Sequence, residues 1–360
     1  VVEISENKPM SSATNVLIHP SQFPNKIRRD LLESLRTRRV NHKFHYDSVK
    51  QAQQWLALHQ AYSPTRNDRD CRAIYEKGFK AAMAKIKSRR VGVIGLGCGG
   101  GQKDTRLLKL LRAGGKEVFY TPCDVSPAMV LIARKAALAV VPEENCFPLV
   151  CDLSWSAEHR LGENQNTDAT RRGGARRSNL AGDLPALFGA RPSTLDPRLF
   201  TFFGMIPNFE PPDILPKLAS LICPKDFLLF SANLAPGADY TAGMKKILRQ
   251  YDNRLTHDWL MTFLLDLGFE RRDGKLQFAI EAGRFGLKRV VARFHFRRSC
   301  RVEVENKAFR FRNGDSLRLF FSYRYTPARV RKLLARYRLK VCEQWITGSD
   351  EEGVFLCRKP

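Results

Sequence analysis

What this 360-residue chain lacks narrows it first. No two of its nine cysteines form a C-x-x-C pair, which removes the usual zinc and dithiol signatures and gives no reason to expect a metal. Their number is odd and several lie in apolar stretches, where a thiol packs as a small hydrophobe. Reduced cysteines in a cytoplasmic protein are expected. No apolar run approaches the ~20 residues of a membrane span, so no membrane partner is expected. The opening VVEISENKPMSS lacks the basic-then-apolar pattern of a secretory signal. It also lacks an initiator Met, so further residues are expected before Val1. Acids are scarce, 36 against 61 Lys and Arg, giving a net charge of +25. That raises a polyanion as a partner, yet the basic residues are spread along the chain, which favours a solvated basic surface on a monomer.

The stretch that organises the rest is VGVIGLGCGGGQKDTR, Val91–Arg106. Val91, Val93, Ile94 and Leu96 read as a buried strand running into a glycine turn, and Leu107, Leu108, Leu110 and Leu111 read as a helix beyond it. Strand, glycine turn, helix is how a doubly wound sheet brings bare backbone to a nucleotide. A second strand, Val118–Tyr120, leads to Asp124, an acid placed to accept hydrogen bonds from ribose hydroxyls. The compressed spacing of Gly95, Gly97 and Gly99 favours S-adenosylmethionine over a dinucleotide. That cofactor has no phosphates, and needs close backbone approach more than an anion cradle.

In order along the chain, residues 1–25 read as an irregular arm. Lys26–Arg39 and Val49–His59 follow as helices, and Asn67–Ser88 as a third. Phe147–Val150 reads as the third parallel strand, and Asp152 beyond it stands where such sites meet the adenine amino group. Residues 157–197, with the cluster Arg171–Arg177, read as a flexible basic insertion. Strands Leu199–Met205 and Asp226–Ala232 flank a helix at Ile214–Ile222. The alternation from Val91 to Leu234 specifies a parallel α/β sheet. Ala242–Leu267 then reads as one helix with Tyr251 in its middle, and Lys275–Ser322 alternates like antiparallel strands. The expected division is an N-terminal part of a substrate domain (1–66), a cofactor domain (67–240), a smaller α+β substrate domain (241–325), and a return to the first sheet (326–360).

The order of Tyr46-Asp47, Tyr62-Ser63-Pro64-Thr65-Arg66, the glycine turn with Lys103, Asp124-Val125-Ser126-Pro127, Asn208-Phe209 and Tyr251-Asp252 resembles the histidine Nα-methyltransferase family of ergothioneine biosynthesis. The resemblance runs from about Phe44 to the end, and it implies an α/β fold with a Rossmann-like class I methyltransferase sheet and a second, smaller α+β substrate domain. It implies that Gly95, Gly97, Gly99, Lys103, Asp124 and Asp152 hold S-adenosylmethionine. It also implies that Tyr62, Asn208 and Tyr251 hold the amino and carboxylate groups of an amino acid, with Tyr46 near the ring end. Two departures are clear. The family opens its glycine motif with a glutamate, where this chain has Gly95. Its side-chain pocket pairs an acid with a serine two residues on; here the stretch is Phe320-Phe321-Ser322, so the serine stands and the acid is a phenylalanine. Ala292 aligns with a pocket methionine. A phenyl ring cannot pair an imidazole N–H, so the expected substrate is the α-amine of an amino acid or related small amine other than histidine.

Two other functions fit parts of the sequence. An RNA-binding methyltransferase would use the +25 charge, but Ile206-Pro207-Asn208-Phe209 is not the Asn/Asp-Pro-Pro-Tyr type that stacks a base. A paralogue that binds the cofactor without turnover is the third.

Overall fold

The computed structural model of the chain describes residues 15–62, 68–155 and 197–360. The Arg171–Arg177 cluster and the turn Ser63–Arg66 lie outside the described residues.

In chain order, β1 (Leu17–Ile18) is followed by α1 (Pro24–Thr37), a 3₁₀ turn at His42–His45, α2 (Val49–Tyr62) and α3 (Arg69–Lys85). The alternating unit is β2 (Arg90–Leu96), α4 (Gln102–Ala113), β3 (Glu117–Asp124), α5 (Pro127–Ala137), β4 (Leu149–Val150), β5 (Arg198–Phe202), α6 (Pro211–Leu221) and β6 (Phe227–Asn233). Then come α7 (Tyr240–Tyr251), α8 (Arg254–Asp266), β7 (Gly274–Ala282), β8 (Lys288–Phe296), β9 (Cys300–Val304), β10 (Lys307–Phe311) and β11 (Ser316–Arg324). The chain closes with α9 (Pro327–Arg336), β12 (Lys340–Ile346) and β13 (Glu352–Arg358).

The large sheet runs β1-β4-β3-β2-β5-β6-β13-β12. All pairs are parallel except those made by β13, which runs antiparallel to both β6 and β12. The apolar run of β2 explains why it lies at the centre. Val91 and Val93 enter a core with Tyr75, Phe79, Leu107 and Leu111 on one face. Ile94 and Leu96 enter another with Phe202, Ile214, Leu218 and Leu334 on the opposite face. Each such burial contributes about 1.5–3 kcal/mol, so a strand apolar on both faces is held only between two helical layers. Helix α3 lies close on the sheet because Gly78 has no side chain; a Cβ there would stand 2.9 Å from Val354 Cγ1.

The antiparallel stretch forms a three-stranded sheet, β11-β8-β7, and a β9–β10 hairpin. Leu35 of α1, Phe44, and Trp259, Phe263 and Leu264 of α8 pack with Phe294, Leu317 and Leu319 of the sheet in a third core.

Local readings need correction in three places. The arm expected over residues 1–25 is not wholly irregular: Leu17 N donates to Pro148 O (3.0 Å) and His19 N to Val150 O (2.9 Å), adding β1 at the sheet edge. Two residues are too few to show periodicity. The single helix expected over Ala242–Leu267 is two. Asp252 leaves helical geometry, and Asn253 caps α8 by accepting from Thr256 N at 3.0 Å, the usual stop-and-restart of a polar pair. The fourth parallel strand ends at Phe202, three residues before Met205, with Gly204 at φ 71° in the turn that follows. Among the described residues no helix is long and apolar enough to cross a membrane. All nine cysteines are free thiols.

Candidate functional site

β2 delivers the chain to a turn that only glycine makes easily. Gly97, Gly99 and Gly101 have φ of 63°, 52° and 73°, in the left-handed region that costs other residues energy. All three also keep neighbours close: a Cβ on Gly97 would stand 2.6 Å from Met205 Cγ, one on Gly99 3.2 Å from the Trp55 ring, and one on Gly101 2.8 Å from Ala133 Cα. The turn is latched to β3. Cys98 N donates to Cys123 O at 3.0 Å, and Gly99 N to Asp124 Oδ2 at 2.9 Å.

Asp124 ends β3, with Oδ1 accepting from Ser126 N at 3.0 Å. Burial raises its carboxyl above the usual range, against the lowering pull of the Ser126, Gly99 and Val125 amides. Asp152, just past β4, is also buried. Burial opposes its charge, but nearby His42 and Lys43 and bonds from Ser154 N and Oγ (2.7 and 2.6 Å) outweigh it and hold the carboxyl low. Lys43 Nζ lies 3.8 Å from Asp152. Lys103, in the first turn of α4, donates to Tyr75 Oη at 2.9 Å, and burial lowers its ammonium.

These groups line one cavity of about 840 Å³, a volume suited to a cofactor with a small substrate. Gly97, Gly99, Lys103, Asp124, Asp152, Tyr46 and Asn208 all face it. The Asn208 amide has no side-chain partner among the described residues and so is open to a ligand.

A row of rings leads away from the cavity. Trp55 and Tyr46 lie 5.9 Å apart, Tyr46 and Trp259 5.6 Å, Trp259 and Phe320 5.6 Å, and Phe320 and Tyr251 6.1 Å. Such centroid spacings suit edge and offset contacts. Trp259 Nε1 donates to His45 O at 2.9 Å, and His45 Nε2 donates to Leu319 O at 2.6 Å, tying the His42–His45 turn to α8 and β11. Phe320 pairs across the sheet with Ala292, and Ser322 with Val290.

The expected site residues are therefore not all in one place. Tyr251 ends α7 in the ring row, its hydroxyl accepting from Arg324 Nη2 at 2.9 Å; it does not line the cavity. Phe320 is half-buried and Ser322 buried in the same sheet. Tyr62 is 55% exposed at the end of α2, so the expected convergence of Tyr46, Tyr62, Asn208 and Tyr251 on one cleft holds for Tyr46 and Asn208 only. Gly95 lies within β2, beneath the turn.

Sequence reasoning missed Trp55, Met205, Trp259 and Asp104. Trp55 and Trp259 sit within helical patterns where an aromatic reads as core, and neither spacing distinguishes a cavity wall from packing.

Among solved structures, the chain is similar to an S-adenosylmethionine-dependent methyltransferase from Clostridium acetobutylicum, at 12% identity over 85% of this chain and 98% of that one, with a TM-score of 0.42. It is also similar to magnesium protoporphyrin IX methyltransferase from Synechocystis with bound SAH, at 12% identity over 89% and 98% of the chains, with a TM-score of 0.41. No curated protein sequence matches it significantly. A family model described as histidine-specific methyltransferase, SAM-dependent, matches residues 27–359, and the chain belongs to that family of S-adenosylmethionine-dependent methyltransferases.

Proposed function

We propose that this methyltransferase acts on the α-amine of an amino acid, or a close amine derivative, with an aromatic or apolar side chain in preference to histidine. The observation that carries the reading is the ring row from Trp55 to Tyr251, with Phe320 where the resemblance implies an acid and the small Ala292 opposite it.

The residues present suit the family's cofactor. The glycine turn exposes backbone, and Asp124 offers carboxylate oxygens to a pair of hydroxyls at a position 7% exposed. Bound there, S-adenosylmethionine supplies an electrophilic methyl on a positively charged sulfur.

The chain's own part is to bind, orient and desolvate a neutral amine. The α-amine of a free amino acid has a pKa well above neutral, so nearly all of it is protonated at neutral pH and must lose that proton before attack. Asn208 presents a carbonyl and an amide to the cavity, and Tyr46 a hydroxyl whose own ionisation burial pushes up. Neither takes the proton as a strong base; they orient the amine lone pair while water carries the proton away. Tyr251, its hydroxyl accepting from the Arg324 guanidinium, gives the far end of the ring row a polar edge.

Incubation with labelled cofactor and a panel of amino acids, with products read by mass, tests this. Methylation of an aromatic or apolar amino acid at higher kcat/KM than histidine is expected. Efficient histidine methylation would overturn the side-chain assignment. Cofactor binding without any methylated amine would overturn the enzyme–substrate reading in favour of a paralogue without turnover.

A further inference from the structure

Asp104 is a buried carboxylate on the cavity wall with acceptor capacity beyond what the fold uses. It is the third residue of α4, 3% exposed, and lines the cavity. Its Oδ2 accepts from Tyr120 Oη on β3 at 2.7 Å, and its Oδ1 from Thr201 Oγ1 on β5 at 2.7 Å. The carboxylate thus spans the strand between them, β2, at Gly95. A Cβ at position 95 would stand 2.2 Å from Asp104 Oδ2 and 3.1 Å from Tyr120 Oη. No residue but glycine leaves that oxygen where it is. An ionised carboxylate accepts about four hydrogen bonds, and two are used here.

Across the sheet order, Asp152 follows β4, Asp124 ends β3, and Asp104 bridges β3 and β5. The two outer acids suit the adenine and ribose of the family's cofactor. The third stands beyond them, beside Lys103; Arg72, Arg106 (paired with Glu76) and Glu352 are also on the cavity wall. Both signs of charge on one cavity wall match a zwitterion, which is what the amino-acid portion of the cofactor is.

We propose that Asp104 binds the ammonium group of the cofactor's amino-acid portion, in a space that Gly95 keeps open for it. The pair then forms an exchange: the family's glutamate at the start of the glycine motif is absent, and a carboxylate enters the same space from the following helix. Burial raises the Asp104 carboxyl to about 6 against the lowering effect of Tyr120, Thr201 and Lys103. A group held so is common where a ligand repays its desolvation.

The test compares two ligands by calorimetry. S-Adenosylhomocysteine carries the amino-acid portion; 5′-methylthioadenosine lacks it. Asp104→Asn, which keeps the shape and can still meet Tyr120 and Thr201, is expected to weaken S-adenosylhomocysteine by about 10–100-fold, the loss typical of a charge-assisted bond. Methylthioadenosine should change by less than about 3-fold. Gly95→Ala, which drives Asp104 out of place, is expected to give the same ligand-selective loss, with unfolding temperature recorded to confirm a folded protein. Equal weakening of both ligands would mean that Asp104 only ties the strands together and would overturn the proposal. Unchanged S-adenosylhomocysteine affinity in Asp104→Asn would overturn it too. Failure of the wild type to bind either ligand would overturn the cofactor assignment with it.

Discussion

The two ends of the site are built from different materials. At the sheet, the cavity wall is backbone and charge: a glycine turn, Asp124 and Asp152 at strand ends, and Lys103 and Asp104 in the first turn of α4. Toward the three-stranded sheet the molecule offers rings, from Tyr46 through Trp259 and Phe320 to Tyr251. Hydrogen bonds to charged groups are directional and reject near-isosteres strongly, whereas an apolar wall discriminates a methylene by only about 1–3 kcal/mol. On the proposed reading, cofactor identity is held tightly while acceptor identity is open to change by single substitutions.

Removing the carboxylate that anchors the polar end is the largest test. Asp124→Ala should cost about 2–4 kcal/mol in S-adenosylhomocysteine affinity if two charge-assisted bonds are lost. Unlike Asp104→Asn, it should weaken methylthioadenosine equally, because both ligands carry the ribose. Calorimetry reads both, and unchanged affinity would remove Asp124 from the cofactor site.

Putting charge into the aromatic end is the next. Phe320→Glu should shift preference toward histidine by about 1–3 kcal/mol in transition-state binding. The measurement is kcat/KM for histidine against an aromatic amino acid in both proteins. An unshifted ratio would show that Phe320 does not meet the acceptor side chain.

The smallest effect concerns stability. Asp104 has a carboxyl raised by burial to about 6 from an ordinary 3.8. Its contribution to stability is therefore whole below about pH 4 and is lost as pH rises through about 6. Asp104→Asn should make the ligand-free protein more stable at pH 7.5, by about 1–2 kcal/mol after allowing for weaker bonds to Tyr120 and Thr201. The advantage should shrink toward pH 4. Denaturant titrations at the two pH values measure it, and parallel stabilities would show that the carboxyl carries no burial penalty.

The polar end was the more legible in sequence, and for a physical reason. A glycine turn between a buried strand and a helix has few uses, and Asp124 lies at a separation set by the length of one helix and one strand. The parallel sheet followed from apolar runs such as Val91–Leu96, buried on both faces. The ring row was not legible, because it joins residues from α2, the His42–His45 turn, α8, β11 and α7, whose contacts are set by tertiary packing. Tyr62 illustrates the limit: its motif carries the resemblance, yet its side chain is exposed in the structure. Asp104 was hidden differently. An acid in the first turn of a helix reads as a partner for the helix dipole, and only the missing side chain at Gly95 lets it turn inward.

The edge strand β1 has a consequence for the order in which the site comes together. Leu17 and Ile18 pair with Leu149 and Val150, residues made far later in synthesis. The same segment supplies Ser21, whose hydroxyl accepts from Asp152 N at 3.0 Å. Closing so long a stretch of chain costs entropy that a two-residue pairing barely offsets. The Asp152 end of the cavity is thus the part that the nascent chain completes late, and the part that local opening releases first.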